Sequence, residues 1–262
     1  VVAIVALGSL LHPLVAAVVL FVGAVVVASH IMVVSALGHP LTVRGAEPVL
    51  DREAASALWD AVHECAVRAG VPPPKIFVLD DSVKMLAGSW GFGSERAIGV
   101  QKWLVRGVPP NWLMAIVAHE VAHHAMRDLA LTVAYLSLRS WLRVAAWILG
   151  IISLLTVVGL PGPAKTLIAL VACIASGIVH VGADLVESHW IPHVRYGYEH
   201  AADAVGIVIT GDPLSAMGFL IFVAAASGQM SRDPRPRPGR THPPPLVRAG
   251  RILRDHKDTI FR

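Results

Sequence analysis

The sequence predicts a mainly α-helical integral membrane protein that also contains an α+β domain with a small sheet. Three observations support this fold class. The chain of 262 residues has a mean hydropathy of +0.63, and residues 1–38 contain no Asp, Glu, Lys or Arg. Further apolar runs alternate with polar blocks, and about 20 apolar residues suffice to cross a bilayer. The polar blocks contain helical patterns and short β-like runs beside glycine-rich turns.

The N-terminal apolar block is predicted to be a transmembrane anchor. A break at His12-Pro13 precedes residues 14–37, which are long enough to span a bilayer. A cleaved signal peptide would have a basic start and an apolar stretch of about 7–15 residues. Since neither is found, we predict that residues 1–38 form a retained anchor.

The rest of the chain is predicted to form one domain that a membrane hairpin interrupts. Residues 39–128 would form its first part and residues 190–262 its second part. Residues 129–189 would form the transmembrane hairpin, because the segments 144–160 and 164–182 are apolar and a Pro-Gly-Pro turn joins them.

Local patterns predict the elements of the two polar blocks. In the first block they indicate a helix over 47–70 that ends at Gly70, a strand over 76–79, two short strands around a glycine-rich turn, and a helix that begins after Pro110 and continues past Asp128. In the second block they indicate helices near 198–210 and 213–227.

Charge and cysteine content exclude some classes of function. The net charge of +4 comes from scattered residues, which favours contact with lipid head groups over nucleic acid. Nine Lys and Arg lie in the first polar block, ten in the second, and only Lys165 lies in the hairpin turn region. This bias predicts that both polar blocks face the cytoplasm. Cys65 and Cys173 are too few for a disulfide framework or a thiolate metal site.

The stretch AIVAHEVAHHAMRD, residues 115–128, contains the pattern HExxH. His119 and His123 are four residues apart, so a helix presents both imidazoles to one point, as two zinc ligands require. Glu120 lies at the edge of that face, where it can act as a general base toward a water molecule. His124 is rotated about 100° from the face and is predicted to be a packed or surface histidine.

A catalytic zinc site needs a third protein ligand. Glu199 and Asp203 share a face of a predicted helix, so Glu199 can bind zinc and Asp203 can accept a hydrogen bond from a ligand histidine. His200 is a rival third ligand, although it points about 100° away from Glu199. Asp128 either orients a ligand or is a solvated surface charge.

A second group of ionisable residues lies at the end of the hairpin. It is either another metal site or the place where a spanning helix leaves the bilayer, and it comprises His180, Asp184, Glu187, His189 and His193.

The motifs HEVAH, EHAAD and THPPPLVRAGRI, with a membrane hairpin between the first two, resemble the HtpX-type membrane zinc peptidases. These gluzincins are relatives of the CAAX prenyl proteases and of mitochondrial quality-control membrane peptidases. The resemblance covers roughly residues 40–262. It implies a zincin-type catalytic domain with one Zn²⁺ per chain, a protein or peptide substrate, and a place in the bacterial cell membrane.

The resemblance also implies roles for individual residues. His119, His123 and Glu199 would hold zinc, and Glu120 would be the base. His242 would stabilise the oxyanion, and Arg248 would lie beside the acidic residues that support the ligands. The family usually has an Asn-Ala-Phe-like strand whose edge pairs with the substrate. This chain instead reads KMLAGSWG there, which predicts a substrate-binding edge strand of Met85, Leu86, Ala87 and Gly88.

The leading hypothesis is therefore a zinc endopeptidase that cleaves membrane or membrane-associated proteins at the cytoplasmic face. A sensor-type protease that cleaves a repressor, and a metal-binding membrane scaffold without catalysis, are the alternatives. The sequence does not predict the oligomeric state.

Overall fold

The structure is a computed structural model. Outside the described residues lie the predicted turn at 161–163, most of the Pro- and Arg-rich segment 232–241, and the predicted N-terminal anchor apart from three of its positions. The described residues are 23–24, 27, 45–83, 85–91, 93–159, 164–228, 230–231, 233–235 and 242–260.

The described chain forms two compact units. The first contains residues 133–191, and the second contains residues 45–132 and 192–260. Helices α4 (Asp128–Gly159) and α5 (Ala164–Leu185) make up most of the first unit, and a π-helical turn at Val186–Trp190 follows α5.

The second unit has a four-stranded sheet and six helices among the described residues. The strands are β1 (Ala46–Val49), β2 (Lys75–Leu79), β3 (Ala87–Trp90) and β4 (Ala97–Gln101). The helices are α1 (Ser56–Ala69), α2 (Lys102–Gly107), α3 (Pro110–Met126), α6 (Ile191–Thr210, which starts at the unit boundary), α7 (Pro213–Ser227) and α8 (Pro245–Ile260).

The sheet has the order β1-β2-β4-β3, in which only β2 and β4 run parallel. Its central strand β4 is buried along its whole length. Ile98 and Val100 of β4 pack with Val117 and Val121 of α3 in the main core. Because β3 lies at the edge of the sheet and packs against α3, it places an open strand edge beside the HExxH helix.

Polar contacts join α4 and α5, the two helices of the predicted hairpin. Ser153 Oγ donates to the Ala169 carbonyl at 2.7 Å, and Ser176 Oγ donates to the Ala146 carbonyl at 2.7 Å. Among the described residues, two helices are long and apolar enough to cross a bilayer, Ala130–Val157 and Lys165–Thr210, of 28 and 46 residues. The first helix begins well before the predicted apolar segment 144–160, and the second continues well past the predicted segment 164–182. In both cases the helix continues into more polar sequence.

The acidic residues at the end of the hairpin form ion pairs. Arg143 Nη2 lies 2.7 Å from Glu187 Oε2 and 3.4 Å from Asp184 Oδ1, and Arg139 lies 2.8 Å from Glu187. Among the described residues, no metal-competent group of donors lies here. The structure thus supports the other alternative, in which arginines compensate these carboxylates where the helix leaves its apolar segment.

Three predicted boundaries differ from the structure. The predicted helix over 47–70 is the strand β1 followed by α1, because residues 46–49 pair with β2. The helix after Pro110 ends at Met126, and Arg127 adopts a left-handed conformation with φ 56° before α4 begins. Helix α6 begins at Ile191 rather than near residue 198.

Candidate metal centre

The two histidines of HEVAH converge on one point, as their spacing on α3 predicts. Their Nε2 atoms lie 3.2 Å apart, and their rings are nearly perpendicular. Glu199 approaches from α6, with Oε2 at 3.4 Å from His119 Nε2 and Oε1 at 3.7 Å from His123 Nε2. Among the described residues, these three side chains form the one group that could hold a metal ion.

Helix α6 can lie this close to α3 because Gly206 faces it. A Cβ at position 206 would lie 3.2 Å from the backbone nitrogen of His119, which is tighter than ordinary packing. Gly206 is seven residues after Glu199, hence on the same face of α6. The glycine therefore brings the Glu199 face against the histidines.

These donors fit a zinc ion. Zinc binds His nitrogen and carboxylate oxygen at about 2.0–2.2 Å in tetrahedral geometry, so its ligand atoms lie about 3.3 Å apart. The separation of 3.2 Å between the two Nε2 atoms and that of 3.4 Å between His119 Nε2 and Glu199 Oε2 agree with this value. The other oxygen of Glu199 lies 3.7 Å from His123 Nε2. Two imidazoles and one carboxylate also leave a fourth position, as catalytic zinc sites do.

A carboxylate fixes the orientation of each histidine. Asp203 Oδ1 lies 3.1 Å from His119 Nδ1, and Asp128 Oδ2 lies 2.5 Å from His123 Nδ1. An Nδ1–H that donates to a carboxylate leaves the Nε2 lone pair free for a metal. The turn at Arg127 allows Asp128, the first residue of α4, to reach back to His123. Asp128 is buried, so it is not the solvated surface charge of the alternative prediction.

Arg248 from α8 neutralises the acidic side of the centre. Its Nε and Nη2 donate to the two oxygens of Asp203 at 2.8 and 2.5 Å. Its Nη1 lies 3.0 Å from Glu199 Oε2. Such a fork against a carboxylate combines charge with fixed geometry. Arg248 thus lies beside the acidic residues, where the resemblance placed it.

The carboxylates also favour a cation at His119. Burial and the charge of Arg248 oppose protonation of this histidine, but the hydrogen bonds of Asp203 and Glu199 outweigh them and raise the pKa of His119 to about 10. The surroundings of the imidazole therefore stabilise positive charge, which a divalent metal would supply.

The other predicted residues of the motif stretch are also placed. Glu120 is buried next to His119, and its charge acts on Arg248. His124 is buried away from the centre, where its Nε2 lies 3.1 Å from the Ala97 carbonyl. Burial lowers the pKa of His124 to about 4, so it is a neutral histidine that packs against the sheet. His200 is not part of the donor group.

His242 belongs to the same centre. Its Nδ1 lies 2.7 Å from Glu199 Oε1, and 61% of its side chain is exposed. A histidine that touches a potential metal ligand and also faces solvent can contact a bound substrate.

The predicted edge strand is shifted by two residues. Strand β3 covers Ala87–Trp90, so Met85 and Leu86 precede it and only Ala87 and Gly88 of the predicted set belong to it. The Gln101 backbone nitrogen still donates to the Leu86 carbonyl at 2.9 Å.

The comparisons with known proteins agree with this geometry. The family model described as "Peptidase family M48" matches residues 53–255. The chain belongs to peptidase family M48. The structure of S. mikatae Ste24p has the same fold over 79% of this M48 chain and 50% of that chain, with a TM-score of 0.52 and 19% identity.

Relatives named "Protease HtpX homolog" also match this M48 chain. One from Listeria monocytogenes is 30% identical over 109 residues, which cover 41% of this chain and 36% of that protein. One from Aeropyrum pernix is 29% identical over 168 residues, which cover 63% of this chain and 50% of that protein. The chain therefore spans half or less of the length of these relatives. The predicted HtpX-like resemblance and the predicted fold class are confirmed.

Two further features of this M48 chain, both beside the metal centre, were not predicted from its residues. Helix α8, which carries Arg248, follows Pro245 and has apolar residues at helical spacing, including Ala249 and Ile252; this pattern was the available signal. The turn at Arg127 had no signal, because arginine rarely adopts positive φ.

Proposed function

We propose that this M48 chain is a membrane-embedded zinc endopeptidase. The observation that supports the proposal is the buried Glu120 beside a donor set of two imidazoles and one carboxylate that matches zinc geometry. Zinc in such a site lowers the pKa of a bound water molecule and polarises the scissile carbonyl. The remaining steps depend on residues of the chain.

Glu120 would act as the general base and then as the proton donor. Its carboxylate would accept a proton from the attacking water and deliver it to the nitrogen of the leaving amine. Its burial excludes competing water, and its charge interacts with that of Arg248. A scaffold without catalysis has no need of a buried base, which disfavours that alternative.

His242 would stabilise the negative charge that develops on the carbonyl oxygen. Because a carboxylate only accepts, the contact of Nδ1 with Glu199 Oε1 uses the Nδ1–H and orients the ring. Nε2 would donate to the carbonyl oxygen from the imidazolium form, in which both ring nitrogens carry a proton. The exposed side of the imidazole is available to a substrate.

The outer edge of β3 would align the substrate by strand addition. In the pairing of β3 with β4, the hydrogen bond from Gln101 to Leu86 sets the alternation along the ladder. The backbone groups of Ala87 and Ser89 therefore point away from β4. They would pair with an extended peptide laid beside α3.

The membrane arrangement remains part of the proposal. The basic residues of both polar blocks favour the cytoplasmic side, so membrane proteins, or segments exposed at that surface, are the proposed substrates. We retain residues 1–38 as the anchor, 129–189 as the hairpin, and 39–128 with 190–262 as the peptidase domain. A sensor role has no observation in its favour.

Metal removal tests the proposed cofactor. We expect a zinc chelator to stop cleavage of β-casein by the full chain in detergent, and Zn²⁺ to restore it. Glu199→Ala should lose bound zinc, because two imidazoles alone form an incomplete site. Zinc content is measured by atomic absorption, with Glu64→Ala as the matched control because Glu64 pairs with Arg68 at an exposed position. Wild-type zinc affinity in Glu199→Ala would remove this ligand assignment.

The supporting carboxylates should tune zinc affinity. We expect Asp128→Asn and Asp203→Asn each to weaken zinc binding by about 10–100-fold, since an amide orients a histidine less strongly than a carboxylate does. Competition with a fluorescent chelator measures the affinity. Asp60→Asn is the control, because Asp60 is exposed and pairs with Arg52 away from the centre. Equal zinc affinities in all three variants would contradict the proposal that Asp128 and Asp203 hold the ligand histidines in place.

A further inference from the structure

Arg195 is a half-buried cation without a direct partner in the described part of the chain. There it forms no ion pair and no hydrogen bond, and its one electrostatic neighbour is Glu199. Partial removal of a guanidinium from water is costly unless a counter-charge compensates it. The position of Arg195 therefore favours a ligand that carries negative charge.

Glu199 acts on Arg195 through its charge alone, without a direct contact. Arg195 lies four residues before Glu199, one turn away on the same face of α6. The Glu199 carboxylate is already contacted by Arg248 at 3.0 Å and by His242 at 2.7 Å, and its oxygens face the histidines of the metal centre. Arg195 can thus direct its hydrogen-bond donors elsewhere.

The flank of α6 that carries Arg195 continues into the core of the second unit. Ala202 lies seven residues later, almost two full turns, and so on the same flank. Ala202 is buried in the core that contains Ile98 and Val100 of β4. The opposite flank carries Asp203, which contacts Arg248 of α8. Arg195 therefore lies on the flank of α6 away from Arg248, beside the face that carries Glu199.

We propose that Arg195 binds a carboxylate of the substrate and makes the chain prefer an acidic side chain near the scissile bond. This inference rests on the proposed endopeptidase function. Four helical residues span about 6 Å, and an extended peptide advances about 3.3 Å per residue, so the carboxylate lies about two residues from the scissile bond. A guanidinium binds a carboxylate through two parallel hydrogen bonds, which a neutral amide cannot match.

Kinetics with paired peptides test the preference. Quenched-fluorescent peptides are built on a cleavage site mapped in β-casein, with Glu or Gln at each of three positions on either side. For the full chain in detergent we expect one position where Glu raises kcat/KM by about 10-fold over Gln, the effect of a charged hydrogen bond. Arg195→Gln should remove that ratio, and Arg195→Glu should invert it in favour of Lys.

A structural role for Arg195 would give another pattern. If Arg195 only stabilised Glu199, Arg195→Gln would lower zinc content and reduce kcat/KM equally for all peptides, and the proposal would be overturned. A wild type that cleaves every peptide equally overturns it as well, but leaves the endopeptidase function standing. A wild type that binds no zinc and cleaves nothing overturns both. Arg251→Gln is the control, since Arg251 is exposed and pairs with Asp255.

Discussion

Glu120→Gln is expected to lower kcat for β-casein cleavage by about 10²–10⁴-fold, the usual contribution of general acid–base catalysis. Glutamine has nearly the same shape as glutamate but cannot accept the proton of the attacking water. Because Glu120 is not one of the three metal donors, the variant should retain a full equivalent of zinc. Both quantities are measured on the same preparation, by cleavage assay and atomic absorption.

Retained zinc together with lost cleavage would show that Glu120 acts as a general base and not as a metal ligand. Glu64→Gln is the matched control, because Glu64 is an exposed glutamate on α1 that pairs with Arg68. It should cleave at the wild-type rate. Undiminished cleavage by Glu120→Gln would show that another group takes the proton.

The helix-borne part of the centre could be predicted from the sequence. Residues four apart on a helix share a face, so the meeting of His119 and His123 depends only on α3 being a helix. The same rule placed Glu199 and Asp203 together on α6. The rule gave no distance between the two helices, which depends on the close approach at Gly206. The need for a third ligand made Glu199 a candidate partner of the two histidines, and the resemblance implies the same ligand.

Features that depend on contacts with other segments of the chain could not be predicted from local sequence patterns. Strand β1 overlaps the start of a predicted helix. Its four residues form a strand because they pair with β2, and no local pattern indicates that pairing. The bracing of His123 by Asp128 depends on the left-handed turn at Arg127, a conformation that tertiary contacts impose. A pattern along one segment contains no information about such partners.

The second prediction with a large effect concerns Arg248, which is held among the acidic residues of the centre. Its side chain is only 11% exposed, and it contacts both Asp203 and Glu199. Arg248→Met keeps much of the side-chain volume but leaves these buried carboxylates without their cation. Breaking a buried ion pair in this way costs about 3–5 kcal/mol of unfolding free energy.

Thermal unfolding of the full chain in detergent measures this loss. For a chain of this size each kcal/mol lowers Tm by about 2–4 °C, so we expect a decrease of at least about 6 °C. Arg251→Met, three residues further along α8, should change Tm little, because Arg251 is exposed and its pair with Asp255 is long at 3.5 Å.

Zinc and Arg248 should stabilise the centre interdependently, since both compensate the same carboxylates. The decrease in Tm caused by Arg248→Met should therefore be larger in zinc-free protein than in zinc-loaded protein. Adding Asp203→Asn to Arg248→Met removes one uncompensated charge and should recover part of the lost stability. If Arg248→Met unfolds at the wild-type temperature in both states, the carboxylates are compensated by another group. If the double variant is less stable than Arg248→Met, Asp203 contributes through His119 more than through its charge.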